Sequence, residues 1–366
     1  MLVKAKKKFP ERIARILLIQ LGDLGDVVLT LPVIRALRDH YPESRLALAV
    51  REKAKDLLTD CPWIDHLISI RHMEQGPVKT VRYQTAFFRA LRASRYDLAI
   101  DLRTGTRGAI LSYLSGAPHR LGRFADDGRL WRNRLFTHLV RPPADKELEQ
   151  HASSHGLNIL SPLHVVVKDP VPRLTVSETN RENARRILQE TGVSPERPLL
   201  AVHPFSLWPY KEWRASRWSR LLGDLGEKGR YTVIVTGSPE ERHRAQSIAA
   251  ASRVPVFNLA GKTPLHVLPA VFQCCRLVIG VDTVALHLAA AVGTPTIGLF
   301  GPSSPVIWAP RGKGHAVVTK AYACVPCRKK GCEDSGVSRC LNELSLDETR
   351  ERVMEHMASL GLTKPV

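Results

Sequence analysis

The sequence predicts a two-domain α/β protein in which each domain is a doubly wound, parallel sheet covered by helices on both faces. Three observations lead to this class. The length of 366 residues is more than one ordinary core needs. Short runs rich in Val, Ile and Leu alternate with amphipathic helical stretches. These runs show little polar alternation, which is typical of strands buried on both faces. Such sheets bind ligands beyond the carboxyl ends of their strands, so we expect the two domains to face a central cleft.

The apolar runs form two series separated by a segment rich in proline and charge. The first series predicts strands at Ile16–Gln20, Leu46–Val50, Leu67–Ile70 and Leu98–Leu102. The second predicts strands at Leu199–His203, Thr232–Thr236, Val256–Leu259, Leu277–Val281 and Thr296–Phe300. The separating segment, residues 141–173, combines a predicted helix in HASSHGLNIL with an extended linker. We therefore assign residues 1–175 to the first domain, 176–345 to the second and 346–366 to a closing helix and tail.

The composition limits the class of protein and its partners. Hydrophobic residues make up 44% of the chain and charged residues 24%, which excludes a wholly disordered protein. No apolar run reaches the ~18–20 residues of a membrane span, and no secretory signal follows the basic start, so we expect a cytoplasmic protein. The net charge of +19 indicates an anionic partner, either a phosphorylated substrate or a membrane surface, or simply a solvated basic surface. We find no nucleic-acid-binding signature and expect no nucleic-acid partner.

The first candidate site follows the first predicted strand, in RILLIQLGDLGDVVLTLPVIRAL. Gly22 and Gly25 allow a tight turn before a helix, but their spacing is not the dinucleotide fingerprint. Asp26 lies in the first turn of that helix, where the helix dipole favours a carboxylate. A carboxylate near a substrate hydroxyl can act as a general base. Alternatively, Asp26 only stabilises the helix start, a role that Asp23 could also fill.

The second candidate site combines two segments of the second domain. In LLAVHPFSLWPYKEWR, Ser206 and Lys211 follow a strand and could present a hydroxyl and an ammonium group to a phosphate. In CRLVIGVDTVALHLAAAVGTPTIGLFGPSSP, Asp282 ends a strand and a helix begins at Thr283, with His287 four residues later. Free backbone N–H groups at such a helix start bind anions, so a diphosphate fits here. The alternatives are a solvent-facing lysine and a packed or capping histidine.

Taken together, these segments resemble the heptosyltransferase family of lipopolysaccharide core synthesis, glycosyltransferase family 9. The resemblance covers nearly the whole chain. Its motifs occur in the order of the family: the Gly22 turn, then YDLAIDLRTGTRGAILSYLSGAPHRLGR, the HP..S....K.W segment, GSPEE and GVDTVALHLAAAVGTPTIGLFGPSSP. The resemblance implies the GT-B architecture and an inverting transfer without a catalytic metal or a cofactor. The family expectation is an ADP-heptose donor and an anionic glycolipid acceptor, the lipopolysaccharide inner core.

The resemblance also implies roles for individual residues. Asp26 matches the general base of the family and Lys211 its donor-phosphate lysine. The donor-binding helix start corresponds to Asp282, Thr283 and His287, and three further residues fall near donor contacts: Ser206, Glu241 and Thr263. One departure concerns Val284, because similar proteins usually carry glycine there. The branched side chain puts the identity of the donor, or full activity, in question.

On the acceptor side, the resemblance points to a basic segment of the first domain. In the family this region faces an acceptor that carries carboxylates and phosphates, and here it contains Arg71, Lys79 and Arg82. A solvated helix face is the alternative. A glycolipid acceptor also implies a peripheral position on the inner face of the inner membrane.

Four of the seven cysteines lie close together in CVPCRKKGCEDSGVSRC. Cys324, Cys327, Cys332 and Cys340 could hold a structural zinc ion or remain free thiols or a redox-dependent pair, since stable disulfides are rare in the cytoplasm. His151 and His155 are four apart but lack the glutamate of a zinc protease helix. Two other functions stay open: a nucleotide-sugar epimerase of similar architecture, and a non-catalytic homologue that binds nucleotide sugars.

Overall fold

The computed structural model of the chain describes residues 1–71, 77–126, 130–142, 148–194, 196–227 and 230–362, with the side chains of 77–81 and 130 also outside the description. These residues form two compact units, which divide between Pro172 and Arg173. The division lies inside the predicted linker. Each unit is built on its own sheet.

The sheet of the first unit has seven strands in the order β1-β7-β6-β5-β2-β3-β4. All neighbouring strands are parallel except β1, which pairs antiparallel with β7. The strands are β1 Leu2–Ala5, β2 Arg15–Gln20, β3 Arg45–Arg51, β4 His66–Ile70, β5 Leu98–Asp101, β6 His119–Arg123 and β7 His138–Val140.

Helices connect most of these parallel strands as crossovers, 3₁₀ turns connect β3 to β4, and one further helix follows β7. Within the described residues of this unit they are α1 Leu24–Leu29, α2 Leu31–His40, α3 Pro77–Ala93, α4 Thr106–Leu114, α5 Leu130–Asn133 and α6 Ala152–Ile159. Leu17, Leu18 and Ile19 of β2 are completely buried. Burial on both faces of the sheet explains why this strand reads as a continuous apolar run.

The order of the strands creates a switch point between β2 and β5. After β2 the chain moves outward in one direction through β3 and β4, and β5 then begins on the other side of β2. Connections that leave neighbouring strands on opposite sides open a crevice at the carboxyl ends of those strands. In this unit the crevice lies between the segments that follow Gln20 and Asp101.

The sheet of the second unit repeats this scheme with six parallel strands in the order β10-β9-β8-β11-β12-β13. Its switch point lies between β8 and β11. The strands are β8 Leu199–His203, β9 Thr232–Val235, β10 Val256–Asn258, β11 Cys275–Val281, β12 Thr296–Phe300 and β13 His315–Thr319.

The helices of the second unit cover both faces of its sheet. They are α7 Glu178–Glu190, α8 Ala215–Gly226, α9 Arg242–Ala250, α10 Leu268–Gln273, α11 Val284–Ala291, α12 Pro305–Trp308, α13 Arg339–Glu343 and α14 Leu346–Ser359. The closing helix α14 starts with a capping box, in which the Ser345 hydroxyl accepts from the Glu348 N–H and Glu348 accepts from the Ser345 N–H. Val353 and Met357 of α14 join the core of this unit.

The nine predicted strands are confirmed, with ends that shift by one or two residues. The predicted closing helix of residues 346–366 is confirmed as α14, and the predicted HASSHGLNIL helix is confirmed as α6, with His151 as its N-cap. Four strands are additional, β1, β6, β7 and β13. Among the described residues, the helices are too short or too polar to cross a bilayer.

One buried histidine of the second unit should make its stability depend on pH. His203 ends β8, with Nδ1 3.0 Å from the Thr236 hydroxyl oxygen. Burial lowers the pKa of His203 to about 4. The unfolded chain therefore takes up a proton here below about pH 6.5, whereas the folded chain does so only near pH 4. The contribution of neutral His203 to the free energy of unfolding is complete above about pH 6.5. It decreases by about 3 kcal/mol as the pH falls to 4.

Urea unfolding of the wild type and of His203→Asn at pH 7.5 and pH 5 measures this effect. We expect the loss of stability between these two pH values to be smaller in the variant, because asparagine does not titrate in this range. His243→Asn removes an exposed imidazole and is the matched control. An equal pH dependence in wild type and His203→Asn would refute the assignment.

Candidate functional site

The first candidate site lies at the switch point of the first sheet. Because β2, β3 and β5 are adjacent and parallel, their carboxyl ends meet at one edge. Arg51 is the last residue of β3, and the segments that follow β2 and β5 supply Asp26 and Arg103. The fold thereby brings together residues that are up to 77 positions apart in sequence.

Asp26 occupies the third position of α1, with Asp23 as the N-cap. Its Oδ2 accepts a hydrogen bond of 3.0 Å from the Asp23 N–H and an ion-paired hydrogen bond of 2.5 Å from Arg103 Nη1. The side chain of Asp26 is 25% exposed. It therefore stabilises the helix start and also remains accessible to a ligand.

The turn that carries Asp26 is braced by polar contacts from β2. The Gln20 side chain accepts from the Gly22 N–H at 3.1 Å and donates to the Thr30 hydroxyl at 2.7 Å. That hydroxyl in turn donates to the Asp26 carbonyl at 2.8 Å. Gln20 and Thr30 are both buried. A buried network with satisfied partners gives a rigid turn, so the backbone of Asp26 is fixed in place.

Asp23 has a different environment from Asp26. Its Oδ1 lies 2.8 Å from Lys53 Nζ and 3.3 Å from Arg51 Nη1. The hydrogen bond from Lys53 lowers the pKa of Asp23, and the charges of Lys53, Arg51 and Arg103 act in the same direction. Asp23 is thus a charged member of a basic cluster, and both aspartates of the turn have cationic neighbours.

The three predicted acceptor residues are only partly described. Arg71 donates to Glu52 at 3.1 Å through Nε. Arg82 is exposed on α3. Lys79 lies in α3, but its side chain is outside the described residues. Arg71 also borders a largely apolar pocket of about 410 Å³ that begins at Leu21, next to the glycine turn.

The walls of that cavity are mostly side chains of α3 and α4, and the segments that follow β2 and end β4 supply the rest. They are Leu21, Ile70, Arg71, Tyr83, Gln84, Phe87, Phe88, Arg107, Ile110, Leu111 and Leu114. A cavity of this size with a few polar groups is suited to binding part of an amphipathic molecule.

The second candidate site lies at the switch point of the second sheet. Lys211 ends a short 3₁₀ turn, Pro209–Lys211, in the connection that follows β8, and Asp282 directly follows β11. Lys211 Nζ is 2.6 Å from Asp282 Oδ2, and the two side chains are 21% and 9% exposed. The structure therefore pairs two of the predicted residues. This pairing argues against a freely solvated lysine.

The helix start beside this pair is open. Thr283 is the N-cap of α11 in an extended conformation, and its side chain makes no capping hydrogen bond. His287 is buried one turn further along, as a packed histidine would be. The N–H groups of Val284 and Ala285 precede the first recorded helical hydrogen bond, from the Leu286 N–H to the Thr283 carbonyl, and lie at the positive end of the helix dipole. The site thus combines backbone donors with the ammonium group of Lys211.

The remaining donor-side residues lie on other connections of the same unit. The Ser206 hydroxyl accepts from the Trp208 N–H at 3.3 Å. Glu241 is half-buried before α9, accepts from the Ser238 N–H at 2.7 Å, and has a pKa raised by desolvation. The Thr263 hydroxyl is shielded from solvent and has no hydrogen-bond partner among the described residues. A buried hydroxyl in this state is suited to meeting a ligand.

Sequence reasoning missed Arg103 and the buried pair behind it. Arg132 Nη2 lies 3.2 Å from Asp101 Oδ2, and the two side chains are 0% and 1% exposed. Burial raises the pKa of Asp101 to about 7, because desolvation outweighs the attraction of Arg132. The sequence does contain one signal for these residues: Asp101 and Arg103 lie at the carboxyl end of a predicted strand, where ligands of such sheets bind.

The zinc alternative for the four cysteines is not supported. All four are free thiols, and the described residues contain no group of three or more His, Cys, Asp or Glu side chains that could hold a metal ion. Cys324 is exposed, whereas Cys340 is buried in α13, where burial raises its pKa to about 11. Zinc binds the thiolate, so this environment disfavours a metal ligand.

Comparisons with known proteins agree with this arrangement. The family model of glycosyltransferase family 9 (heptosyltransferase) matches residues 84–337. Lipopolysaccharide heptosyltransferase 3 of Escherichia coli is 29% identical over 291 residues, covering 78% of this chain and 83% of that protein. A family 9 glycosyl transferase from Veillonella parvula has a TM-score of 0.80 at 23% identity, with 98% of both chains covered. E. coli heptosyltransferase WaaC with ADP-2-deoxy-2-fluoro heptose has a TM-score of 0.69 at 21% identity, covering 93% and 99%.

The structural likenesses confirm the predicted fold class, α/β of the GT-B type with two doubly wound sheets. The family model covers well over half of the chain. The chain belongs to glycosyltransferase family 9, the heptosyltransferases, and is a glycosyltransferase.

Proposed function

We propose that this protein is an inverting, metal-independent transferase that moves a heptose, or a similar sugar, from an ADP-sugar to the lipopolysaccharide inner core. The observation that carries the proposal is the Lys211–Asp282 pair of 2.6 Å beside the open start of α11. A positive group and free backbone donors together suit a diphosphate. The solved WaaC complex contains an ADP-sugar analogue, which supports the same class of donor here.

The donor side relies on charge already present in the second unit. When the glycosidic bond breaks, negative charge develops on the leaving nucleoside diphosphate. Lys211 and the N–H groups at the start of α11 would stabilise this charge, a role that a divalent metal fills in other enzymes. Asp282 holds the ammonium group in place. Ser206, Glu241 and Thr263 would contact the rest of the donor.

The acceptor side relies on the first unit. Lipopolysaccharide core sugars are anionic, and the first site is rich in cations, with Arg51 and Lys53 next to Asp23. The apolar cavity beside Leu21, with Arg71 and Arg107 in its wall, would take the less polar part of the same molecule. Exposed Arg82, together with Lys79, would add to the positive field.

The proposed step is a direct displacement with Asp26 as general base. An acceptor hydroxyl loses its proton to the Asp26 carboxylate while its oxygen forms a bond to the anomeric carbon of the donor. The bond from that carbon to the phosphate oxygen breaks, and the nucleoside diphosphate leaves from the opposite face with the electron pair. The configuration of the sugar is inverted. A positioned base of this kind contributes about 10²–10⁴-fold to the rate.

Calorimetric titration with ADP-heptose, ADP, UDP-sugars and GDP-sugars tests the donor assignment. We expect the ADP-sugar to bind most tightly, and a titration with a core-truncated lipopolysaccharide present should show turnover. Preference for another nucleotide sugar would keep the reaction class but refute the donor. No binding of any nucleotide sugar would favour the non-catalytic alternative, for which Val284 at the first position of α11 is the relevant feature. Conversion of the donor without an acceptor would indicate an epimerase.

The membrane location of the enzyme is also a proposal. The net charge of +19 and a glycolipid acceptor support peripheral binding to the anionic cytoplasmic face of the inner membrane. Co-sedimentation with anionic and neutral vesicles at increasing salt measures this binding.

A further inference from the structure

The contact between Asp26 and Arg103 assigns different tasks to the two carboxylate oxygens. Oδ2 receives both recorded hydrogen bonds, from the Asp23 N–H at 3.0 Å and from Arg103 Nη1 at 2.5 Å. Among the described residues, no donor to Oδ1 is recorded. An oxygen that already accepts two donors is a poor proton acceptor. Oδ1 is therefore the oxygen that can take a proton from a bound hydroxyl.

Arg103 is held rigidly from behind, although its guanidinium group is 46% exposed. Its backbone N–H donates to Asp101 Oδ1 at 3.2 Å, and its carbonyl accepts from Arg132 Nη2 at 2.8 Å. Asp101 and Arg132 form the buried ion pair of this unit. A buried charged pair with further hydrogen bonds fixes the backbone around it, so the loop after β5 presents Arg103 in one place.

Gly22 provides the space in which the two side chains meet. A Cβ atom at this position would lie 2.3 Å from Asp26 Oδ2 and 2.6 Å from Arg103 Nη1. Both distances are far shorter than any van der Waals contact. The glycine of the turn is thus required by the Asp26–Arg103 pair itself. Three separate features thus fix Oδ2 of Asp26. Gly22 leaves room for it, Arg103 pairs with it, and the buried Asp101–Arg132 pair holds the backbone of Arg103.

We propose that Arg103 is a positioning residue, which anchors Oδ2 of Asp26 so that Oδ1 points to the acceptor hydroxyl. The inference rests on the proposed role of Asp26 as general base. The orientation of a reacting group strongly affects the reaction rate, since a misplacement of about 1 Å can lower the rate about 10²-fold. By contrast, an exposed ion pair adds at most about 1 kcal/mol to stability. Rate and stability should therefore respond very differently to loss of Arg103.

The first test compares Arg103→Ala, Arg103→Lys and the control Arg134→Ala, which removes an exposed arginine directly after α5. The probes are ADP-heptose and a core-truncated lipopolysaccharide. We expect Arg103→Ala to lower kcat about 10–100-fold, with KM for both substrates and the thermal midpoint nearly unchanged. Arg103→Lys should retain more activity, and guanidinium ion at millimolar concentration should partly rescue Arg103→Ala. The control should behave as wild type.

Two results would overturn the inference. An unchanged kcat in Arg103→Ala would show that Asp26 needs no anchor. An effect confined to KM for the lipopolysaccharide, without rescue of kcat, would make Arg103 an acceptor-binding residue.

A double variant separates this inference from the proposed function. If Arg103 acts through Asp26, adding Arg103→Ala to Asp26→Asn should cause little further loss of kcat, whereas independent roles would multiply. Wild-type turnover in Asp26→Asn would refute Asp26 as the base and, with it, the role of Arg103. Impaired Asp26→Asn together with fully active Arg103→Ala would refute only the role of Arg103.

Discussion

Asp26→Asn should lower kcat by about 10²–10⁴-fold, which is the usual contribution of a general base. The amide oxygen can still accept from the Asp23 N–H, so the start of α1 should survive. The side chain loses its capacity to take a proton and the charge of its ion pair with Arg103. Donor binding should remain close to that of the wild type, because the donor residues belong to the second unit. Steady-state kinetics and calorimetry on the same preparation measure both quantities.

The matched control is Asp39→Asn, which makes the same chemical change at an exposed position of α2. It should leave kcat unchanged. Asp26→Ala extends the series, because it removes the helix-stabilising contact as well. Near wild-type turnover in both Asp26 variants would show that Asp26 only stabilises the helix and that another group takes the proton.

Lys211→Ala should weaken ADP-sugar binding by about 10–100-fold, in line with the loss of about 1.5–3 kcal/mol for a hydrogen bond to a charged group. The variant also leaves the carboxylate of Asp282, which is 9% exposed, without its partner and close to the incoming diphosphate. Repulsion between these negative groups should add to the loss. Calorimetric titration with the ADP-sugar measures the change.

A second substitution separates the two causes. Asp282→Asn in the Lys211→Ala background removes the unpaired charge and should recover part of the affinity, as expected for residues that interact directly. Lys313→Ala, at an exposed lysine of the same unit, should leave donor binding unchanged. If Lys211→Ala bound the donor as tightly as the wild type, the diphosphate would have to bind elsewhere.

Most strands were predictable because their burial on both faces of a sheet produces continuous apolar runs. Three of the four additional strands, β6, β7 and β13, escape this rule for physical reasons. β6 has the sequence HRLGR, in which three of the five side chains are polar, and it is the third strand from one edge of its sheet. β7 has only three residues, which is too short a run to be recognised in the sequence. β10 is equally short but was predicted, because its residues VFN continue into the apolar Leu259. β13 is an edge strand whose alternate residues face solvent.

The candidate site was predictable only where it follows from local sequence. Asp26 lies in the first turn of a helix that follows a buried strand, and Asp282 lies between a buried strand and a helix. Both positions can therefore be derived from the strand–turn–helix pattern. The same pattern does not reveal that Lys211 reaches Asp282, which is 71 residues away, or that Arg103 reaches Asp26. Those contacts depend on the order of the strands in each sheet. Strand order is a property of long-range packing that a single sequence does not display.

The two switch points have a consequence for how this enzyme could be modified. In both sheets the candidate chemistry lies on the connections after β2, β5, β8 and β11, while the strands themselves supply buried apolar packing. The segment from Ser206 to Lys211 lies between β8 and α8 and is partly or fully exposed, whereas Phe205 before it belongs to the core. Exchange of this segment for that of a relative would therefore alter donor contacts without repacking the core. In each unit, loops that can be exchanged for recognition are therefore attached to a sheet that stays the same.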